Sequence, residues 1–176
     1  IIKVLMKIIP GFKALICGQI HDKLLTAFGG NLRTISMGGA PLNPEAEDWF
    51  KACKLPYTVG YGMTECAPLI SYRIWNEYVP KSCGVPVPGA DVRIDSADPE
   101  HEVGEIQITG CNVMEGYYKN EEATKAAFTE DGYLKSGDLG IMYKNGNLFI
   151  KGRSKNMILA SNGQNVYPVE LEAIVN

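Results

Sequence analysis

The stretch LGIMYKNGNLFIK, residues 139–151, decides the fold class of this chain. Two apolar, strand-like runs flank Asn145-Gly146, and an Asn-Gly pair takes the positive φ values that a tight β-hairpin needs. Upstream, CGVPVPGADVRI (83–94) and EIQITG (105–110) have the same strand character, punctuated by Pro86, Pro88 and Gly89. Short strands with frequent turns predict a small, distorted, barrel-like β unit over residues 83–152. NEEATKAAF (120–128) is a helix inserted among these strands, with Asn120 as its N-cap.

Residues 1–82 read differently, as the end of an α/β subdomain. HDKLLTAF (21–28) predicts a short helix stopped by Gly29-Gly30, and LRTISM (32–37) a strand that ends at Gly38-Gly39. NPEAEDWFKACK (43–54) has a strong helix start: Asn43 as N-cap, Pro44 first, then Glu45, Glu47 and Asp48 at the positive end of the dipole. PYTVGYG (56–62) predicts a strand running into a Gly turn. The apolar opening, IIKVLMKIIPGFKALICG, is interrupted by Lys3, Lys7 and Lys13 and broken by Pro10. It fits an amphipathic helix with Lys3 and Lys7 on one face rather than a membrane span or a signal peptide. After Lys151, GRSKN is polar and basic, MILA and NVY flank the turn SNGQ as a second hairpin, and Pro168 with Glu170 and Glu172 begins a helix that stops at Asn176. The opening Ile1 and that short last helix suggest an excised piece.

The 176 residues carry 17 Lys+Arg against 20 Asp+Glu, a net charge of −3, and 45% hydrophobic residues. That excludes a disordered chain and a chain-wide nucleic-acid surface, though not a local phosphate site. The five cysteines (17, 53, 66, 83, 111) form no C-x-x-C pair, which fits a reduced, cytoplasmic protein better than a disulfide scaffold or a zinc centre.

Four segments carry residue types suited to a nucleotide. In SMGGAPL (36–42), Gly38 and Gly39 allow close backbone approach, with Ala40 beside them. A plain strand-to-helix turn explains the same residues. In YGMTECAPL (61–69), Tyr61 offers a ring face, Thr64 a hydroxyl and Glu65 a hard oxygen ligand for Mg²⁺; an exposed turn acid is the alternative for Glu65. In YLKSGDLG (133–140), the Asp138 carboxylate in a Gly-flanked loop can accept from both hydroxyls of a ribose, or cap its own backbone in a turn. In IKGRSKNMILASNGQNVYP (150–168), Arg153 and Lys155 lie close together, as they would also in a solvated basic loop. No dinucleotide fingerprint and no G-x-x-x-x-G-K-[ST] loop is present.

In this order and spacing, GGAPL, YGMTE, CGVPVPG, GEIQITGCNVMEGYY, GYLKSGDLG and KGRSKNMI resemble the adenylate-forming superfamily of acyl-CoA synthetases, luciferases and peptide-synthetase adenylation domains. SKNMILASNGQNVYPVELE looks most like bacterial long-chain fatty-acid–CoA ligases. The resemblance implies an enzyme that joins a carboxylate to ATP, releasing pyrophosphate, and then moves the acyl group from acyl-AMP to the thiol of CoA. Gly38, Gly39 and Ala40 would line the adenine and acyl pocket. Tyr61, with Gly62, would stack on adenine; Thr64 would touch phosphate and Glu65 would hold Mg²⁺. Asp138 would grip the ribose, with Arg153 nearby. Lys155 would be the hinge to a C-terminal α+β lid that starts at residue 153, and Gly163 would reach the site only in the thioester-forming pose.

The superfamily's phosphate loop and its late lysine have no counterpart here, so the piece itself is expected to be inactive and to self-associate through its cut α/β core. Peripheral membrane contact stays open for a fatty-acid enzyme. The alternatives are an aryl-CoA ligase, a peptide-synthetase adenylation domain, or a non-catalytic nucleotide-binding or interaction domain.

Overall fold

The computed structural model describes residues 11–159 together with 165, 166 and 168. The first described helix, α1 (Phe12–Ala27), starts well upstream of the expected HDKLLTAF. It begins behind Gly11, whose φ of 82° suits glycine, and it runs through Gly18, where a Cβ would meet nothing within 4 Å. It stops where the two glycines predict: Gly29 and Gly30 have φ of 82° and 77°. Cys17, Ile20 and Leu24 line one helix face and pack with Trp49, Phe50, Cys53 and Leu55.

The strand β1 (Ile35–Met37) leads through α2 (Pro44–Ala52) to β2 (Tyr57–Val59), and β1 and β2 pair in parallel, Ile35 opposite Tyr57. A helical crossover is what parallel neighbours require. Asn43 caps α2 as expected, its Oδ1 accepting from the Glu45 and Ala46 amides at 2.9 and 3.2 Å. Glu47 does more than face the helix dipole. It is buried, and its Oε1 accepts from Tyr57 Oη (3.3 Å), Tyr78 Oη (3.0 Å) and the Lys81 amide (2.8 Å). Tyr57 ties α2 to β2, and Tyr78 and Lys81 tie it to the segment that leads into the β unit.

After Gly60 the chain forms β3 (Tyr61–Gly62), β4 (Leu69–Tyr72) and β5 (Val85–Pro86), an antiparallel three-stranded sheet. A second sheet follows: β6 (Ala90–Asp95), β7 (Gly104–Gly110), β8 (Leu134–Met142) and β9 (Leu148–Arg153). Its order is that of the sequence, an antiparallel meander. The barrel-like unit expected over residues 83–152 is therefore not formed: among the described residues β6 and β9 are the two edges of an open sheet. Four strands of this length are too few to close on themselves. The hairpin that decided the fold class stands, with Met142 opposite Leu148. Its connection is longer than a two-residue turn: Tyr143 N–H donates to Asn147 O, and Gly146 takes φ of 82°.

The inserted helix, α3 (Glu121–Ala127), is capped by Asn120, whose Oδ1 accepts from the Ala123 amide. Beyond β9, β10 (Ile158–Leu159) pairs antiparallel with β11 (Asn165–Val166). The expected opening helix around Lys3 and Lys7 and the last helix past Pro168 lie outside the described residues.

The main core joins the two sheets. Val92 and Ile94 on β6, Ile106 and Ile108 on β7, Leu134 and Leu148 face Tyr61, Cys66 and Ile70. Alternate residues of β6 and β7 point inward, as a two-residue period dictates. Burial of each Ile or Leu here is worth roughly 1.5–3 kcal/mol. Burial also pushes the thiols of Cys66 and Cys83 up to about 11, so both stay protonated at neutral pH; all five cysteines are free. Among the described residues no helix is long and apolar enough to cross a membrane.

Candidate functional site

The shape of the site follows from an irregularity in β8. Glu105 lies opposite Leu139 and Gln107 opposite Lys135, so Ser136, Gly137 and Asp138 together face Ile106. Such a bulge re-aims a side chain, and it leaves backbone groups without ladder partners. GYLKSGDLG is thus a bulged strand rather than the expected Gly-flanked loop. Gly137, at φ of 71°, makes the bend.

The bulge turns Asp138 into the space between the two sheets, where it is 7% exposed. Its Oδ2 accepts from Tyr61 Oη at 2.7 Å, and its Oδ1 accepts from Arg153 Nε at 2.9 Å. Tyr61, Asp138 and Arg153, distant in sequence, are therefore in direct contact. Asp138 and Arg153 are also cross-strand partners on β8 and β9. Burial, and next the Asp138 charge, push the Tyr61 phenol far above its ordinary range, so it remains a donor. Asp138 does not cap its own turn. Each of its oxygens has one partner in this cluster and a second lone pair in reserve, which is what gripping a pair of vicinal hydroxyls requires.

Gly38 and Gly39 lie in the exposed turn after β1, with Ala40 following. The Gly60 amide donates to Met37 O at 2.8 Å, and a Cβ on Gly38 would come within 3.2 Å of Gly60 O. Both glycine turns thus sit at the carboxyl ends of the parallel strands β1 and β2, the position where open α/β sheets bind ligands. The chain passes from there directly into Tyr61. Gly62 has a steric reason to be glycine: a Cβ would sit 2.0 Å from Pro68 O on the facing chain.

Thr64 and Glu65 occupy a short 3-10 turn, Thr64–Cys66, between β3 and β4. Thr64 is exposed. Glu65 Oε1 accepts from Tyr117 Oη at 2.8 Å, and its carbonyl accepts from the Met114 amide at 2.8 Å. That hydrogen bond to Glu65 raises the Tyr117 phenol above its usual value. Tyr117, in the loop after β7, is a neighbour that sequence reasoning missed, although GYY within GEIQITGCNVMEGYY pointed to its surroundings. No group of three or more metal-ligating side chains exists among the described residues. Glu65 is a single hard carboxylate oxygen donor, which suits Mg²⁺ carrying phosphate and water as its other ligands. Lys155 is exposed in another 3-10 turn, Ser154–Asn156, which Ser154 Oγ fastens to Gly137 O at 3.1 Å. Gly163 lies outside the described residues.

Residues 6–118 match the AMP-binding enzyme family. The chain belongs to that family. Among curated relatives, a long-chain-fatty-acid–CoA ligase of Mycobacterium bovis is 39% identical over 153 residues, 87% of this chain and 24% of the relative. A 4-coumarate–CoA ligase of Humulus lupulus is 36% identical over 172 residues, 90% of this chain and 30% of the relative. Among solved structures, O-succinylbenzoate Coenzyme A synthetase of Bacillus subtilis, in complex with ATP and magnesium ion, superposes with a TM-score of 0.72 at 28% identity, over 87% of this chain and 34% of that one. The chain thus spans about a quarter to a third of the length of these relatives.

Proposed function

We propose that this AMP-binding segment is part of an ATP-dependent, AMP-forming fatty-acid–CoA ligase. The observation that carries the reading is the buried Asp138 carboxylate held between Tyr61 and Arg153, in a chain whose relatives include long-chain-fatty-acid–CoA ligases. Asp138 binds the ribose hydroxyls of ATP, and Arg153 supplies a positive charge beside it. Gly38, Gly39 and Ala40 leave room for the base to approach backbone, next to Tyr61 and Gly62. Thr64 hydrogen-bonds phosphate. Glu65 gives Mg²⁺ one oxygen, and the ion supplies charge compensation at the phosphorus. Coenzyme A is the acyl acceptor. Five free cysteines fit a cytoplasmic setting. The 176-residue chain alone releases no pyrophosphate.

An aryl-CoA ligase is the second reading, supported by the 4-coumarate and O-succinylbenzoate relatives. The test is pyrophosphate release by the whole protein with ATP, Mg²⁺ and a panel of carboxylic acids. Turnover with saturated fatty acids above that with aryl acids supports the first reading; the reverse order supports the second; none with any acid removes both.

Lys155 serves this reading as the hinge at which the lid rotates between the two half-reactions. Proline there fixes φ near about −65° and removes an amide donor. In the whole protein, Lys155→Pro is expected to slow thioester formation more than acyl-AMP formation at unchanged melting temperature. An equal loss in both half-reactions, followed separately, makes Lys155 an ordinary loop residue.

A further inference from the structure

The bulge at residues 136–138 would leave several backbone groups unpaired, and side chains from three elements replace the missing ladder. The Gly137 amide donates to Glu105 Oε1 at 3.0 Å. The Asp138 amide donates to Ser136 Oγ at 3.0 Å, and the same hydroxyl donates to Ile106 O at 2.6 Å. The Gly137 carbonyl accepts from Ser154 Oγ at 3.1 Å. The strand register gives no other reason for an acid at 105: its cross-strand neighbours are the apolar Leu139 on β8 and the like-charged Asp95 on β6, and its side chain is half-buried.

We propose that Glu105 is a positioning residue for Asp138. It acts by holding the Gly137 amide, which sets the bulge and so aims the carboxylate one residue later at its ligand. This inference rests on Asp138 as the ribose ligand. The direction of action is physical: glycine at a positive φ is the softest point of the strand, and a charge-assisted bond to its amide is the strongest single restraint available there. Ser136 shares the task, because its hydroxyl fixes the next amide along.

The geometry makes a split that a purely structural role would not. With Glu105→Ala in the whole protein, KM for ATP should rise by about tenfold, KM for the carboxylic acid should hold, and kcat should change less than KM. Glu105→Gln keeps an oxygen acceptor for the Gly137 amide and should restore ATP use to within about twofold of wild type. In an Asp138→Ala background, Glu105→Ala should add nothing further to KM for ATP, because the group it positions is gone. If Glu105→Ala does not fold, Ser136→Ala frees the neighbouring amide and carries the same test.

The outcomes separate. ATP use that falls with Asp138→Ala but holds with Glu105→Ala, or full additivity of the two, overturns the positioning role alone. ATP use indifferent to Asp138→Ala overturns the ribose reading and this inference with it. Equal rises in both KM values, not rescued by glutamine, also overturn it.

Discussion

Asp138→Ala in the whole protein should weaken ATP use by at least about a hundredfold. Hydrogen bonds to a charged acceptor are worth roughly 1.5–3 kcal/mol each, and a ribose presents two hydroxyls to one carboxylate. The loss should fall on kcat/KM for ATP and leave KM for the carboxylic acid largely in place. Stability is a separate matter, since the change also strips Tyr61 and Arg153 of their shared acceptor. Arg153 is 70% exposed and finds water, whereas Tyr61 is buried, and its unmet hydroxyl costs about 1–3 kcal/mol. Asp138→Asn divides the two effects. Its amide oxygen can still accept from Tyr61, but its NH₂ then meets the Arg153 Nε–H, donor against donor. It should retain most of the stability and little of the ATP use. Melting temperatures and ATP titrations on both variants make the comparison, and ATP kinetics unchanged in either variant would return Asp138 to a structural role.

Gly62→Ala is expected to be the most damaging change in the YGMTE segment, and for a reason of packing. The new Cβ would lie 2.0 Å from Pro68 O and 2.8 Å from its carbonyl carbon, both backbone atoms on the facing side of the β3–β4 pair. No rotamer can relieve that, so β3 must move from β4. Overpacking costs typically about 1–3 kcal/mol and more where backbone must give, and a loss of about 1–3 kcal/mol lowers the melting temperature by about 2–12 °C for a domain of this size. Gly39→Ala is the control. Gly39 has φ of 85° but open space at its Cβ, so alanine pays only the left-handed penalty of about 1–2 kcal/mol. Gly62→Ala should therefore melt well below Gly39→Ala. The same order of stability reversed would mean that the β3–β4 pair is looser than its geometry.

The sequence was most legible where local chemistry alone fixes structure. Asn43 with Pro44, Asn120, and Gly29-Gly30 each announce a helix end, because caps are single-residue devices. Asn145-Gly146 announced a hairpin for the same reason. The open sheet was less legible: strand count and turn density are shared by barrels and meanders, and only tertiary pairing of edge strands tells them apart. The start of α1 was hidden by Gly18, a poor helix former that sits on the exposed side of the helix. In the candidate site, Tyr61, Asp138 and Arg153 could be named from their segments, but not the bonds among them, which join β3, β8 and β9. Glu105, Ser136 and Tyr117 went unnoticed because they act on backbone or on another side chain across a strand register. The three-to-one bulge that gives Glu105 its partner has no local signature beyond Gly137. Glu47 is the sharpest case: the helix dipole accounts for an acid in the first turn of α2, and only the fold shows three donors converging on it.

The product balance of the whole protein tests the central claim most directly. With ATP, Mg²⁺, CoA and a fatty acid, an AMP-forming ligase yields one AMP and one pyrophosphate for each acyl-CoA thioester. Omitting CoA should leave acyl-AMP bound to the protein, detectable by mass spectrometry after a single turnover. Equimolar AMP, pyrophosphate and thioester is the predicted result; ADP and phosphate as the nucleotide products, or thioester formed with no acyl-AMP at any time, would contradict it.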